Sequence, residues 1–114
     1  MTRHRNWLRQ EPKDFKGKSL RNKKFTKRYL FDADFRELDL NGALFDEAML
    51  EGARFDNSSL IQASIRNAHL AHTKFRNTDL TNADLSYDRD FPRKKNSCFY
   101  ADFSQSTMEN ANFS

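Results

Sequence analysis

A large apolar residue recurs at every fifth position along most of the chain. The unbroken series comprises Phe15, Leu20, Phe25, Leu30, Phe35, Leu40, Phe45, Leu50, Phe55, Leu60, Ile65, Leu70, Phe75, Leu80 and Leu85. A period of five fits neither the 3.6 residues per turn of an α-helix nor the two-residue alternation of a strand. It predicts short extended segments, each followed by a corner. We call the large apolar residue of each segment its centre.

Residues near each centre explain how such a segment fits into a fold. Two positions before the centres from 33 to 83, ten of eleven residues are Ala, Ser or Thr, and Leu38 is the exception. Residues two apart in an extended segment point to the same side, so this small residue and the centre both face inward. Two positions after the centres stand residues that tolerate the positive φ of a turn. They are Gly17, Asn22, Gly42, Gly52, Asn57, Asn67, Asn77 and Asn82.

Similar centres recur every 20 residues, which predicts four five-residue sides in each coil of a square tube. Phenylalanine forms one inward ladder, and leucine forms two. The Phe ladder is Phe15, Phe35, Phe55 and Phe75, the leucine ladders are Leu20, Leu40, Leu60, Leu80 and Leu30, Leu50, Leu70, and the fourth ladder is Phe25, Phe45, Ile65 and Leu85. Each coil of such a solenoid buries its apolar edge on the next coil.

The repeats resemble those of the pentapeptide-repeat family, whose motif is Ala-Asp/Asn-Leu-X-X. Ala-Leu-Phe-Asp-Glu at 43–47, Ala-Arg-Phe-Asp-Asn at 53–57 and Ala-Asp-Leu at 83–85 carry the resemblance, which covers residues 15–113 with one interruption. It implies an all-β fold, a right-handed quadrilateral β-helix. The four sides also follow from the period of 20, whereas the hand rests on the resemblance alone.

The five-residue phase is interrupted between Leu85 and Cys98. The step of 13 residues equals one repeat plus eight inserted residues. This register extends the Phe ladder to Phe103 and places Cys98 on a leucine ladder, whereas two repeats plus three residues would break the Phe ladder. The sequence therefore predicts 19 sides, nearly five coils, with one loop insertion at about residues 86–95.

The insertion and the basic N-terminal part supply the candidate interaction surface. Its residues are Arg21, Lys24, Lys27, Tyr87, Phe91, Arg93, Lys94 and Lys95. The insertion leaves the tube near an apolar part of the outer surface, around Tyr29, Leu44 and Met49. Two interpretations stay open: its aromatic side chains cover this apolar part, or the loop binds a partner, since loops on rigid scaffolds often carry function.

Charge is distributed unevenly, because residues 1–28 hold 11 basic and two acidic side chains and residues 29–114 hold nine and 14. Residues 1–14 are predicted to form a basic cap, and residues 15–114 the β-helix. Lys18, Lys23 and Arg28 occupy small-residue positions, which a long cation tolerates only near an open end.

At the other end, the last centre has no cover. This predicts an end-to-end homodimer through the C-terminal coil, unless the chain is cut from a longer protein.

No catalytic constellation is recognisable. Cys98 falls on an inward centre, and His69 and His72 should point outward without further metal ligands. The aspartates before several centres belong to the repeat motif. We therefore expect no enzyme, no cofactor and no metal site. A single cysteine excludes an internal disulfide, no apolar run approaches the roughly 20 residues of a membrane span, and no secretory signal is present, so a cytoplasmic setting is expected.

Three functions remain open at this level. The first is a scaffold whose flat outer faces bind another, unknown protein. The second is binding of nucleic acid or an anionic surface by the basic N-terminal part, although a merely solubilising segment explains the same charge. The third is implied by the resemblance, because some family members imitate DNA and shield type II topoisomerases from quinolones. That mimicry needs a long acidic surface, and here the balance of residues 29–114 is only −5.

Overall fold

The fold was analysed in a computed structural model, which describes residues 15, 17–88 and 101–114. Within these residues the chain forms neither a helix nor a continuous strand. Each side instead contributes one residue to a parallel bridge with the coil above or below it, as in Ser19 to Asp39 and Leu44 to Ser64. Before the insertion every bridge joins residues 20 apart, so four five-residue sides make one coil. This repeat was predicted from the sequence.

We number the four sides by their centres. Side 1 carries the phenylalanine ladder, sides 2 and 4 the leucine ladders, and side 3 the mixed ladder. The described centres are Phe15, Phe35, Phe55, Phe75 and Phe103 on side 1, Leu20, Leu40, Leu60, Leu80 and Met108 on side 2, Phe25, Phe45, Ile65, Leu85 and Phe113 on side 3, and Leu30, Leu50 and Leu70 on side 4.

Every coil is hydrogen-bonded to its neighbours through the backbone. The N–H of a centre donates to a carbonyl of the next coil, as from Phe35 to Arg54 at 2.7 Å. The residue before a centre donates in the opposite direction, as from Arg54 to Ala33 at 2.9 Å. These bonds link the coils on all four sides, so the backbone is paired between coils without extended strands.

The corners have the backbone conformation that the sequence predicted. All eight Gly and Asn residues singled out above have positive φ, for example Asn57 at 63° and Gly42 at 76°. Other residue types adopt the same conformation at the remaining corners, among them Lys27, Glu47 and His72. Positive φ is therefore a requirement of the corner itself rather than of particular residues.

Aromatic stacking fills much of the interior. The rings of Phe15, Phe35, Phe55 and Phe75 lie nearly parallel, and successive centroids are 4.9 Å apart. Phe25 and Phe45 of side 3 stack at the same spacing and meet the side 1 rings edge to face. Offset-stacked and edge-to-face pairs are the favourable geometries of aromatic rings. The predicted Phe ladder is present.

The small-residue positions are also buried, as the pattern requires. Ala33, Ala43 and Ala53 are 0% exposed. Where Thr replaces Ala, its hydroxyl donates to a backbone carbonyl of the preceding coil, as from Thr73 to Leu50 at 2.7 Å and from Thr78 to Phe55 at 2.8 Å. Leu38 is accommodated at 6% exposure.

The insertion has the register predicted from the phase of the repeats. After it, the bridges join residues 28 apart, as in Lys74 to Asp102 and Asp84 to Asn112. Eight residues are thus added to a normal coil of 20. The chain leaves the repeat at Tyr87, which stands at a corner position but lacks positive φ. Residues 89–100, including Cys98 and most of the predicted insertion, lie outside the described residues, as does the predicted cap at 1–14.

Candidate interaction surfaces

A basic cavity opens at the N-terminal end of the described stack. It has a volume of about 550 Å³ and is lined by Phe15, Lys18, Ser19, Leu20, Lys23, Lys24, Phe25 and Arg28. Lys18 and Lys23 come from the inward small-residue positions of sides 2 and 3, and both are exposed. Phe15, Leu20 and Phe25 are at most 8% exposed and lie beneath these cations.

The predicted basic residues of the first coil fall into two groups. Arg21 and Lys27 point outward and face carboxylates of the next coil, at 2.6 Å from Asp39 and 4.0 Å from Glu47. The hydrogen bond from Arg21 lowers the pKa of Asp39 below its usual value. Lys24, in contrast, lines the cavity. All three residues are exposed, but only Arg21 and Lys27 face a carboxylate in these contacts.

Tyr87 lies far from these basic residues. It occupies the same corner of the tube as Lys27 but stands three coils away. Its hydroxyl donates to the carbonyl of Ala68 at 2.6 Å, and its N–H donates to the carbonyl of Ser114 at 2.8 Å. The first bond joins the start of the insertion to side 4, and the second joins it to the end of side 3 in the last coil. Phe91, Arg93, Lys94 and Lys95 lie outside the described residues, so their predicted role stays a prediction.

Side 4 carries a strip of apolar side chains on its outer surface. Tyr29 and Phe31 place their rings 6.4 Å apart with an interplanar angle of 25°. Met49 of the next coil forms a bridge with Tyr29 and is, like both rings, partly exposed. We call Tyr29, Phe31 and Met49 the side 4 strip. Tyr29 and Met49 were singled out from the sequence, whereas Phe31 was missed although it stands directly after a centre, where outer residues fall.

Side 1 carries ion pairs. The Arg36 guanidinium donates two hydrogen bonds of 2.8 Å to Asp34 and thereby lowers the pKa of that carboxyl to about 2. Arg76 binds Asp56 of the preceding coil at 2.6 Å, and Asp56 is only 7% exposed. The hydrogen bond to Asp56 raises the pKa of Arg76.

The described outward residues of side 1 balance in charge. The basic ones are Arg36, Arg54, Lys74 and Arg76, and the acidic ones are Asp34, Glu37, Asp56 and Asp102. Side 1 therefore presents both signs of charge in fixed positions.

The histidines and acidic groups form no recognisable metal site in the described part of the chain. His69 lies with Nδ1 3.8 Å from a carboxylate oxygen of Glu51, and His72 occupies an exposed corner. No group of three or more His, Cys, Asp or Glu is arranged to hold a metal ion among the described residues. No helix among them is long and apolar enough to span a membrane.

The chain belongs to the pentapeptide repeat family. The family model matches residues 29–67 and 63–87 with eight copies of the repeat, and the two stretches together cover more than half of the chain. This match and the four-sided stack agree with the resemblance stated from the sequence. Among curated proteins no match was found.

Solved structures of pentapeptide repeat proteins are similar to the fold. HetL, involved in heterocyst differentiation regulation in a Nostoc cyanobacterium, is 20% identical with a TM-score of 0.56 over 80% of this chain. A thylakoid lumen protein of Arabidopsis thaliana is 22% identical with a TM-score of 0.32 over 81%. QnrB1, a plasmid-mediated fluoroquinolone resistance protein, is 21% identical with a TM-score of 0.38 over 76%. The chain spans 47%, 62% and 35% of their respective lengths.

Proposed function

We propose that the protein is a non-enzymatic scaffold that binds another protein through the side 4 strip. The observation that carries this proposal is the partly exposed, stacked pair of Tyr29 and Phe31 beside Met49. Aromatic residues and methionine are enriched in protein interfaces, where they fill pockets of the partner. The backbone bonds between coils hold these side chains on a rigid support, which reduces the conformational entropy lost on binding.

Affinity purification from the source cell tests this proposal. Full-length protein is compared with Phe31→Ser and with Ile61→Ser, a matched control that removes a partly exposed apolar side chain from the same repeat position on side 2. A specific partner should be lost with Phe31→Ser and retained with Ile61→Ser. Equal recovery of all partners with both variants would contradict a role of the side 4 strip.

Deletion of residues 86–95 separates the two interpretations of the insertion. If the loop covers the side 4 strip, its removal should increase the recovery of the partner. If the loop itself binds the partner, its removal should abolish recovery. The hydrogen bond from the Tyr87 hydroxyl to Ala68 of side 4 supports the covering role, which we therefore favour.

The fold details that accompany this proposal follow the family. We infer a right-handed winding and nearly five coils. Of the 19 predicted centres, 18 lie among the described residues. A cytoplasmic setting belongs to the same proposal and rests on the single cysteine, which allows no internal disulfide.

End-to-end homodimerisation through the C-terminal coil is a second structural proposal. Met108 and Phe113, two centres of this coil, are 39% and 47% exposed. Within the described residues, nothing accepts the N–H groups of Phe103, Met108 and Phe113, whereas centres of inner coils donate to the next coil. A second copy would satisfy these donors and bury the centres. Sedimentation should give a dimer that Met108→Glu converts to a monomer, and a monomeric wild type would contradict the proposal.

Mimicry of DNA receives less support from the charges. Side 1 is balanced between acidic and basic residues, and Arg66 on side 3 interrupts the acidic groups there, 3.8 Å from Asp84. A continuous acidic surface is therefore lacking on these described sides. Inhibition of gyrase supercoiling would show whether the protein nevertheless acts on a type II topoisomerase.

A further inference from the structure

The first coil carries Lys or Arg at its described small-residue positions, whereas the later described coils carry Ala, Ser, Thr or Leu there. On side 3, Lys23 stands where Ala43, Ala63 and Ala83 follow, and these alanines are at most 1% exposed. On side 2, Lys18 stands in the column of Leu38 and Ser58. The two lysines are exposed, and both line the cavity.

The cations of this coil also differ in how they are neutralised. The outward residues Arg21 and Lys27 have carboxylates of the next coil within 4.0 Å. Among the described residues, no carboxylate lies within this distance of Lys18, Lys23 or Lys24. Among the described residues that line the cavity, none is acidic. Lys18, Lys23 and Lys24 therefore have no partner among the described carboxylates, which leaves their positive charges for an external anion.

The tube geometry directs these charges towards one point. Inward positions on adjacent sides face the same axis, so Lys18 and Lys23 converge on a common volume instead of spreading over a surface. Its size of about 550 Å³ lies within the range of roughly 300–1,000 Å³ that is usual for small-molecule sites. We propose that this basic cavity binds the phosphate chain of a small polyanion, such as inorganic tripolyphosphate or the triphosphate of a nucleotide.

A phosphate chain matches the site in charge and in shape. Lysine ammonium groups bind phosphate oxygens as point charges, and such hydrogen bonds are about twice as strong as neutral ones. Several cations in one recess favour a ligand that carries several negative charges close together over a single monovalent anion. A nucleic-acid duplex displays its phosphates on a convex surface and cannot bring several of them into a recess. This site is independent of the side 4 strip.

Calorimetric titration of the full chain with sodium tripolyphosphate tests the proposal. Lys18→Gln/Lys23→Gln is compared with Arg21→Gln/Lys27→Gln, which removes the same charge from outward positions of the same coil. The inward pair should weaken binding by about tenfold or more, whereas the outward pair should change it by less than about threefold. Lack of binding to the wild type, or equal weakening by both pairs, would overturn the proposal.

Footprinting on the unaltered protein provides a readout that does not depend on folding of the variants. Tripolyphosphate should protect Lys18 and Lys23 from amine-reactive acetylation more strongly than Lys27, as measured by mass spectrometry of the peptides. ATP should give the same protection, because both ligands carry the triphosphate. Uniform protection of all three lysines, or stronger protection by a DNA duplex than by tripolyphosphate, would contradict a site for a small anion.

Discussion

The ring of Phe103 lies parallel to that of Phe75, with centroids 4.9 Å apart, although 28 residues separate the two in sequence. The same distance joins Phe55 to Phe75, which are 20 residues apart. The eight additional residues thus leave the spacing of the rings in the stack unchanged. An insertion can be tolerated at a corner because the bonds between coils resume in the same register after it.

Truncation of a central phenylalanine should destabilise the stack strongly. Phe55 is 0% exposed between Phe35 and Phe75, so Phe55→Ala should lower the free energy of unfolding by about 3–5 kcal/mol. Phe113→Ala is the matched control, since Phe113 is 47% exposed, and it should cost less than half as much. Urea unfolding measures both, and equal costs would contradict the burial described here.

Substitutions at the same inward position of two different coils test why lysine occupies this position only in the first coil. Ala63 and Lys23 belong to the same column, but Ala63 is 1% exposed. Ala63→Lys would bury an unpaired charge and should cost more than about 3 kcal/mol or prevent folding. Lys23→Ala should change stability by less than about 1 kcal/mol. Circular dichroism with thermal unfolding distinguishes these results, and a normally stable Ala63→Lys variant would disagree with them.

Two glycines separate backbone strain from steric contact at the corners. Gly17 and Gly42 have φ of 78° and 76°, but of the two only Gly42 would bring an added Cβ into close contact with the Asn22 Oδ1. Gly17→Ala should therefore show the cost of positive φ alone, about 1 kcal/mol. Gly42→Ala should cost more, because the Asn22 side chain must move. Denaturant midpoints give the comparison, and a smaller loss at Gly42 would be inconsistent with the contact.

The ion pair of Asp34 and Arg36 on side 1 predicts that the stability of the fold depends on pH. Because the folded-state pKa of Asp34 is lowered to about 2, its stabilising effect is present above the unfolded-state pKa of about 3.9 and is lost as the pH falls towards 2. Both side chains are substantially exposed, so the coupling should be at most about 1 kcal/mol. A double-mutant cycle with Asp34→Asn and Arg36→Gln should give a coupling energy at pH 7 that decreases as the pH approaches 2.

Most of the fold could be predicted from the sequence because centres, small residues and corner residues repeat in phase. The corner conformation of Glu47 and His72 could not, since neither favours positive φ. Closure of the coil imposes it there, and the bonds between coils outweigh a local cost of about 1–2 kcal/mol. Prediction of the ion pair between Asp56 and Arg76 would have required knowledge of the coil register as well as the sequence.

The candidate sites were less predictable than the fold. Lys18 and Lys23 stood out as misplaced residues, but their convergence on one cavity depends on the directions in which adjacent sides point. Charge counting grouped Arg21 and Lys27 with Lys24, although the first two face carboxylates of the next coil. The net positive charge of the first coil could be read from the sequence. Which of its cations are paired with carboxylates depends on contacts between coils.

Disulfide trapping across the insertion tests the four-sided register most directly. With Cys98 replaced by Ala, Lys74→Cys/Asp102→Cys should form an intramolecular disulfide, because the two positions form a parallel bridge and bridged Cα atoms lie within the usual range of about 4.4–6.8 Å. Asp79→Cys/Asp102→Cys, the pair that would be opposed if the insertion comprised two repeats plus three residues, should remain reduced. A disulfide in the second pair but not in the first would contradict the register and the continuous phenylalanine stack.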